Sequence, residues 1–116
     1  TLIPFTSHKT LLSTYYSMAD LFINCTHTDT CSFINIESQA CGTPVITFNN
    51  TGAAETVDGQ CGFRVKTDDF ESMSLQIAKI RQMNIPTEAP RIWVENNFSM
   101  RQNYKSYIHL YYPNTK

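Results

Sequence analysis

The sequence predicts an α/β fold in which a parallel, Rossmann-like sheet is covered by helices. Three observations carry this expectation. Short apolar runs alternate with longer amphipathic segments, and the connections between them are short. The strand-like runs are also apolar throughout instead of alternating, as expected of strands buried on both faces. No repeat or low-complexity tract interrupts the order.

Taken from the start, Thr1–Phe5 opens apolar and stops near Pro4, and reads as the tail of a strand. A helix follows over 9–18, where Leu11, Leu12, Tyr15, Tyr16 and Ala19 recur at helical spacing and Ser7 is placed to cap. Asp20 interrupts, and 21–25 is a β-favouring run that ends in the polar loop His27–Thr30. A helix is expected over 31–41, with Thr30 as its N-cap and the stripe Phe33, Ile36, Ala40 facing inward, Ile34 and Cys41 alongside. Gly42 stops this helix and Pro44 blocks its continuation. Strands are expected at 45–48 and 61–65, separated by a turn-rich loop, one or two helical turns over Ala53–Val57, and an Asp58-Gly59 turn. The segment 69–83 is the most amphipathic, through Phe70, Met73, Ile77 and Ile80, with Leu75 and Ala78 beside them. Pro90 suits the first turn of a helix over 90–97, and Ser99 begins a last one over 99–112.

Composition narrows the function. A chain of 116 residues, 41% hydrophobic and only 16% charged, has the makeup of one soluble globular domain. Its formal net charge is −1 and its Lys and Arg residues form no cluster, which argues against a dedicated nucleic-acid or anionic-membrane surface. No apolar run approaches the ~20 residues that span a bilayer. The four cysteines, Cys25, Cys31, Cys41 and Cys61, show no CxxC and no paired His/Cys spacing. They read as reduced thiols of a cytoplasmic protein, not as a zinc site. Sequons at Asn24, Asn49 and Asn97 accompany no signal peptide and read as coincidence in a chain rich in Asn and Thr.

In an open α/β sheet, ligands sit beyond the C-terminal ends of the strands. That rule points to the loop Thr26–Thr30, dense in hydrogen-bonding groups. The helix it enters would leave the amides of Cys31, Ser32 and Phe33 without internal partners, a seat for a phosphate or simply an ordinary capped helix start. Glu37, with Phe33 four residues before it and Cys41 four after, falls on the rim of the buried side. A carboxylate there needs a partner: a ligand's hydroxyls or a neighbouring cation.

Several stretches, taken in order, narrow these alternatives. Tyr16 to Asn24 reads YSMADLFIN, and Asp29 to Ile46 reads DTCSFINIESQACGTPVI. Thr51 to Glu55 reads TGAAE, and Val57 to Val65 reads VDGQCGFRV. Together with Val94–Ser99 and the closing Tyr104 to Tyr111, they resemble the signature of family-four retaining glycosyltransferases of the GT-B type, the glycosyl transferases group 1. The resemblance spans nearly the whole chain.

It implies a fold, the C-terminal half of a GT-B nucleotide-sugar-binding domain, with residues 1–116 as a single, partial domain. It also implies roles: Glu37 accepts hydrogen bonds from the donor's ribose, Asp29 contacts hydroxyls of the transferred sugar, and the amides of Thr30, Cys31, Ser32 and Phe33 bind the donor diphosphate. Asp29 and Glu37 are thus the catalytic candidates, in a hexosyltransferase-like enzyme of glycoconjugate biosynthesis. The expected partners are a nucleotide-diphosphate sugar and an acceptor glycan or lipid-linked glycan. No metal is expected, since no carboxylate pair has metal-ligand spacing here.

Two of three departures from the pattern touch the sugar pocket. Asp29 replaces the usual Glu, Thr30 and Cys31 replace a Gly and an aromatic, and the family's paired glycines are reduced to Thr51-Gly52. The resemblance further implies an N-terminal acceptor domain and a basic pair clamping the diphosphate, neither of which this sequence contains; Lys9 is the nearest cation. The chain alone is therefore expected to be inactive, and to self-associate through an exposed sheet edge at Thr1–Phe5. Two other readings fit the fold. One is a GT-B-shaped nucleotide-sugar 2-epimerase, which the absence of its Ser-Gly-Gly stretch between Asp29 and Glu37 disfavours. The other is a non-catalytic assembly module.

Overall fold

The computed structural model describes residues 2–113. In chain order the elements are α1 (Lys9–Met18), β1 (Phe22–Asn24), α2 (Phe33–Ala40), β2 (Val45–Phe48), α3 (Thr51–Glu55), β3 (Gly62–Val65), α4 (Phe70–Ile80), α5 (Glu88–Phe98) and α6 (Met100–Tyr111). The three strands form a parallel sheet in the order β1-β2-β3. Ile23 pairs with Ile46, and Ile46 with Phe63. The expected α/β architecture is present, with three of the four anticipated strands in place.

Side-chain alternation gives the sheet two different faces. Ile46, Phe48, Phe63 and Val65 share one face and join Met73 and Ile80 of α4 in the apolar core, with Leu21, Ile77 and Ile85 at its margin. This is the expected stripe of α4, except that Phe70 and Leu75 are exposed. The helix stops at Ile80 rather than running to residue 83.

The other face departs from expectation. Beneath α2 the buried side chains are Asn35, Ser38 and Gln39, while Phe33 is 70% exposed and Ile34 and Ala40 are exposed as well. The predicted inward stripe of Phe33, Ile36 and Ala40 is therefore rotated away from the sheet. The polar residues can be buried because their partners are already in place. Asn24 Nδ2 donates to Ser32 Oγ (2.9 Å) and to Asn35 Oδ1 (2.8 Å). Asn35 Nδ2 donates to Thr56 Oγ1 (2.9 Å), which donates in turn to the Ala53 carbonyl (2.7 Å). Gln39 Nε2 reaches the carbonyls of Asn35 (3.0 Å) and Thr56 (2.8 Å). Such a network costs little where its groups are paired, as all but Gln39 Oε1 are. Two buried atoms, Gln39 Oε1 and Thr47 Oγ1, have no partner among the described residues.

The start of α2 also differs. The helix begins at Phe33 with Ser32 as N-cap and no side-chain capping bond, so Thr30 is not the cap. The hydroxyl of Ser32 is turned inward to Asn24 and leaves the helix start to the backbone. Its end is as anticipated: Gly42 sits at φ 87°, its amide donates to Gln39, and the Thr43 amide donates to Ser38. These two bonds form a Schellman closure. A side chain at Gly42 would also press on the Thr87 carbonyl 2.8 Å away, so α2 ends directly against the approach to α5.

The predicted strand at the start is not formed. Leu2–Phe5 makes no ladder, and Leu2 and Phe5 are 98% and 96% exposed; Thr1 lies outside the described residues. Pro4 has no amide to donate to a ladder. The edges of the sheet are β1, with Ile23 exposed, and β3, and not the segment in which an edge was expected. α1 is capped by His8 without a side-chain bond, not by Ser7. α5 starts at Glu88, two residues before the expected Pro90, which still lies in the first turn where a missing N–H costs nothing.

All four cysteines are free thiols. Burial, with the Asp58 carboxylate beside it, pushes the Cys61 thiol up to about 12. No helix among the described residues is long and apolar enough to cross a membrane.

Thr47→Val keeps the side-chain shape and removes the unpartnered hydroxyl from a fully buried site. An unmet buried polar group costs ~1–3 kcal/mol. The variant is therefore expected to be more stable than the parent in urea denaturation, by up to ~1 kcal/mol; a loss of stability would show that the hydroxyl has a partner.

Candidate functional site

The parallel sheet directs the C-terminal ends of all three strands to one rim, and the rim loops are bound to one another. Asn50, just after β2, donates from Nδ2 to the Thr26 carbonyl (3.1 Å) in the loop after β1 and to Thr67 Oγ1 (3.3 Å) after β3. His27 Nε2 meets Asp68 Oδ1 at 2.8 Å, and the His27 ring lies against Phe48 at the end of β2. Asp69 caps α4, accepting from the Ser72 amide (2.9 Å) and hydroxyl (2.8 Å). Those donors hold its carboxyl below the usual range.

Asp29 lies on this rim, half-buried. Its amide donates to Thr51 Oγ1 (3.1 Å) and its carbonyl accepts from the Gly52 amide (2.8 Å). Its Oδ1 accepts from the Cys31 amide at 3.2 Å. Gly52 is required by close approach, because a Cβ there would collide with the Thr30 carbonyl oxygen. Asp29 is thereby fixed at the backbone, while its Oδ2 has no hydrogen bond among the described residues.

These bonds alter the expected set of open amides. Of the three amides read as free, that of Cys31 is taken by Asp29 Oδ1, and that of Phe33 donates to the Cys31 carbonyl (2.9 Å). The turn ahead of α2 is tighter than a simple helix start, and it uses its own donors. Among the described residues the amides of Thr30, Ser32 and Ile34 make no hydrogen bond. Thr30 and Phe33 are exposed, Cys31 is half-buried and Ser32 is buried.

Glu37 lies on the solvent side of α2, one turn beyond Phe33. The expectation of a rim carboxylate with a partner is met by a neutral group instead of a cation: the Tyr16 hydroxyl donates to Glu37 Oε2 at 3.3 Å. Tyr16 is the buried residue of α1, and its ring meets Phe22 edge-on. Burial first, then the negative charge of Glu37 and the bond donated to it, push the Tyr16 phenol up to about 12. Burial and the charge of Glu37 also raise the Cys41 thiol.

The fold thus gathers Asp29–Phe33 on one turn and sets Glu37 a helical turn further along. Sequence reasoning gave no role at the site to Tyr16 or Asn50, and took Thr51 only as part of a reduced glycine pair. Tyr16 matched the apolar spacing of its helix, which concealed its hydroxyl. The unbroken polar run Asn49–Thr51 after a buried strand was the available signal for the other two. Among the described residues, no group of three or more His, Cys, Asp or Glu side chains could hold a metal ion.

With this geometry in hand, comparison with known proteins gives a consistent answer. Residues 1–100 match the family model described as glycosyl transferases group 1. The chain belongs to this family. The capsular polysaccharide biosynthesis glycosyltransferase CapM of Staphylococcus aureus is 39% identical over 67 residues, which are 57% of this chain and 18% of that protein. The solved sucrose-phosphate synthase from Thermosynechococcus elongatus superposes with a TM-score of 0.81 at 24% identity, covering 98% of this chain and 31% of that one. The likeness to the latter is one of fold. This glycosyl transferases group 1 chain therefore spans under a third of the length of either protein.

The raised Tyr16 phenol has a consequence for stability. Its ordinary value is 10.0 and its folded value about 12, so the folded state holds this proton more tightly. The stabilisation is present below pH 10 and is lost as pH rises through 12. Denaturant titrations at pH 8 and pH 11 are expected to show a smaller alkaline loss in Tyr16→Phe than in the parent chain. Equal losses would show that the phenol is unperturbed.

Proposed function

We propose that the protein carrying this chain transfers a sugar from a nucleoside-diphosphate-sugar donor to an acceptor, with retention of anomeric configuration and without a resident metal. Membership in the glycosyl transferases group 1 supports glycosyl transfer. The observation that carries the donor assignment is the placement of Asp29 and Glu37 on either side of the first turn of α2, at the C-terminal rim of a parallel sheet.

The acceptor's hydroxyl oxygen bonds to the anomeric carbon and gives up its proton to the departing diphosphate, while the bond from that carbon to the diphosphate oxygen breaks and its electron pair leaves with the diphosphate. The amides of the Thr30–Ile34 turn that have no internal partner, reinforced by the positive end of α2, are the groups that take up that charge. Preorganised donors of this kind are worth roughly 3–4 kcal/mol each in the transition state. The amides of Cys31 and Phe33 contribute by fixing the turn, because their hydrogen bonds are already made. Asp29 Oδ2 receives the hydroxyls of the transferred sugar. Glu37, presented by Tyr16, receives those of the donor ribose. The acceptor is a growing glycan or lipid-linked glycan, in keeping with the name of the capsular polysaccharide relative, and transfer takes place in the cytoplasm.

The test uses the complete gene product, a panel of uridine, guanosine, adenosine and thymidine diphosphate sugars, and NMR of the product's anomeric configuration, with and without EDTA. Glu37→Ala is expected to weaken donor binding about tenfold, and Asp29→Ala to lower turnover more than affinity. If both variants kept activity within about twofold, less than ~0.5 kcal/mol in the barrier, the site assignment would fall. An inverted product would remove the claim of retention.

A further inference from the structure

The turn that opens α3 carries a feature that the donor assignment leaves unexplained. Thr51 is held at φ 38°, a left-handed conformation that β-branched residues avoid. Glycine would adopt it without strain. The fold keeps a threonine there, and its side chain is in use: Oγ1 accepts the Asp29 amide at 3.1 Å and lies 3.3 Å from Asn50 Oδ1. The two flanking residues hold the same loop. Asn50 donates to the Thr26 carbonyl, and the Gly52 amide donates to the Asp29 carbonyl at 2.8 Å. Without its hydroxyl, the strained conformation at 51 would have no return visible in the structure.

We propose that Thr51 is a positioning residue: its hydroxyl, imposed on a strained backbone, sets the height of Asp29 above the sheet and thereby aims the Asp29 carboxylate at the transferred sugar. The assignment rests on the donor-site reading above. Thr51 acts through Asp29, whose amide and carbonyl are held by two successive residues of one turn. Displacing that turn would move the carboxylate and the Cys31 amide together, because they are bonded to each other. The effect should appear in turnover, since binding of the nucleoside is assigned to Glu37, on α2 and away from the Asp29 loop.

Three substitutions separate the causes. Thr51→Ser keeps the acceptor, Thr51→Val keeps the branched shape without it, and Thr51→Gly relieves the backbone while removing the acceptor. In the complete gene product, turnover is expected to fall at least tenfold in Thr51→Val and Thr51→Gly, with the donor KM within threefold. Thr51→Ser should stay within threefold of the parent. Thr51→Gly should also melt no lower than the parent while turning over more slowly, a combination that mere loss of structure does not produce. Exchange of the Asp29 amide, followed by NMR, should quicken at least tenfold in Thr51→Val and Thr51→Gly but not in Thr51→Ser. Parent-like turnover or unchanged Asp29 exchange in Thr51→Gly would overturn the assignment. A parent protein that turns over no nucleotide sugar, with exchange behaving as expected, would instead fault the glycosyl-transfer reading.

Discussion

The hydrogen-bonded layer beneath α2 is the constraint on which the rest of this fold depends. Most helices lie on a sheet through apolar side chains, which tolerate some sliding. Here Asn24, Ser32, Asn35, Gln39 and Thr56 meet donor to acceptor, and a shift of α2 by one residue would break several of these bonds together. Each bond is worth only ~0.5–1.5 kcal/mol net, but a buried group left unpaired costs ~1–3 kcal/mol. The penalty for misplacement is therefore larger than the reward for correct placement. That asymmetry fixes the rotation of α2, and with it the direction in which the Asp29 turn and Glu37 face.

The opposite face shows a different economy. Ile46, Phe48, Phe63 and Val65 meet α4 through area alone, and the helix is located at its start by Asp69. One side of the sheet thus holds the contiguous apolar cluster, and the other supplies geometric precision. The candidate site grows from the second. Its loops are joined across three strand ends by a single asparagine side chain and an imidazole–carboxylate pair, so the rim behaves as one connected structure.

How much of this was legible follows from where the information resides. Val45–Phe48 is readable because a strand buried on both faces needs continuous apolar sequence, Gly62–Val65 from Phe63 and Val65 flanking an exposed Arg64 after the Asp58-Gly59 turn, and Gly42 because a left-handed helix end favours glycine. The choice of the rim for the candidate site followed from parallel topology alone. The rotation of α2 was not readable: Phe33, Ile36 and Ala40 make a plausible inward stripe, and only the partners offered by Asn24 and Thr56, distant in sequence, make Asn35 and Gln39 the better residues to bury. The occupied amides of Cys31 and Phe33 depend likewise on a turn conformation that local composition does not specify. Leu2–Phe5 was misread for a related reason, since a strand exists only where another strand meets it and apolar character alone cannot provide the neighbour.

The final helix carries a different consequence. No residue of α6 is buried, although Met100, Tyr104, Tyr107, Leu110 and Tyr111 lie along its surface. Twelve residues without burial sit near the length at which a helix in water is marginal. With no buried side chain of its own, α6 is expected to melt apart from the sheet, as a second and smaller unit. Far-ultraviolet ellipticity would follow both units, while a probe at Trp93, on α5, would follow the body of the fold. The two signals would not coincide on heating, and a single midpoint would describe neither unit.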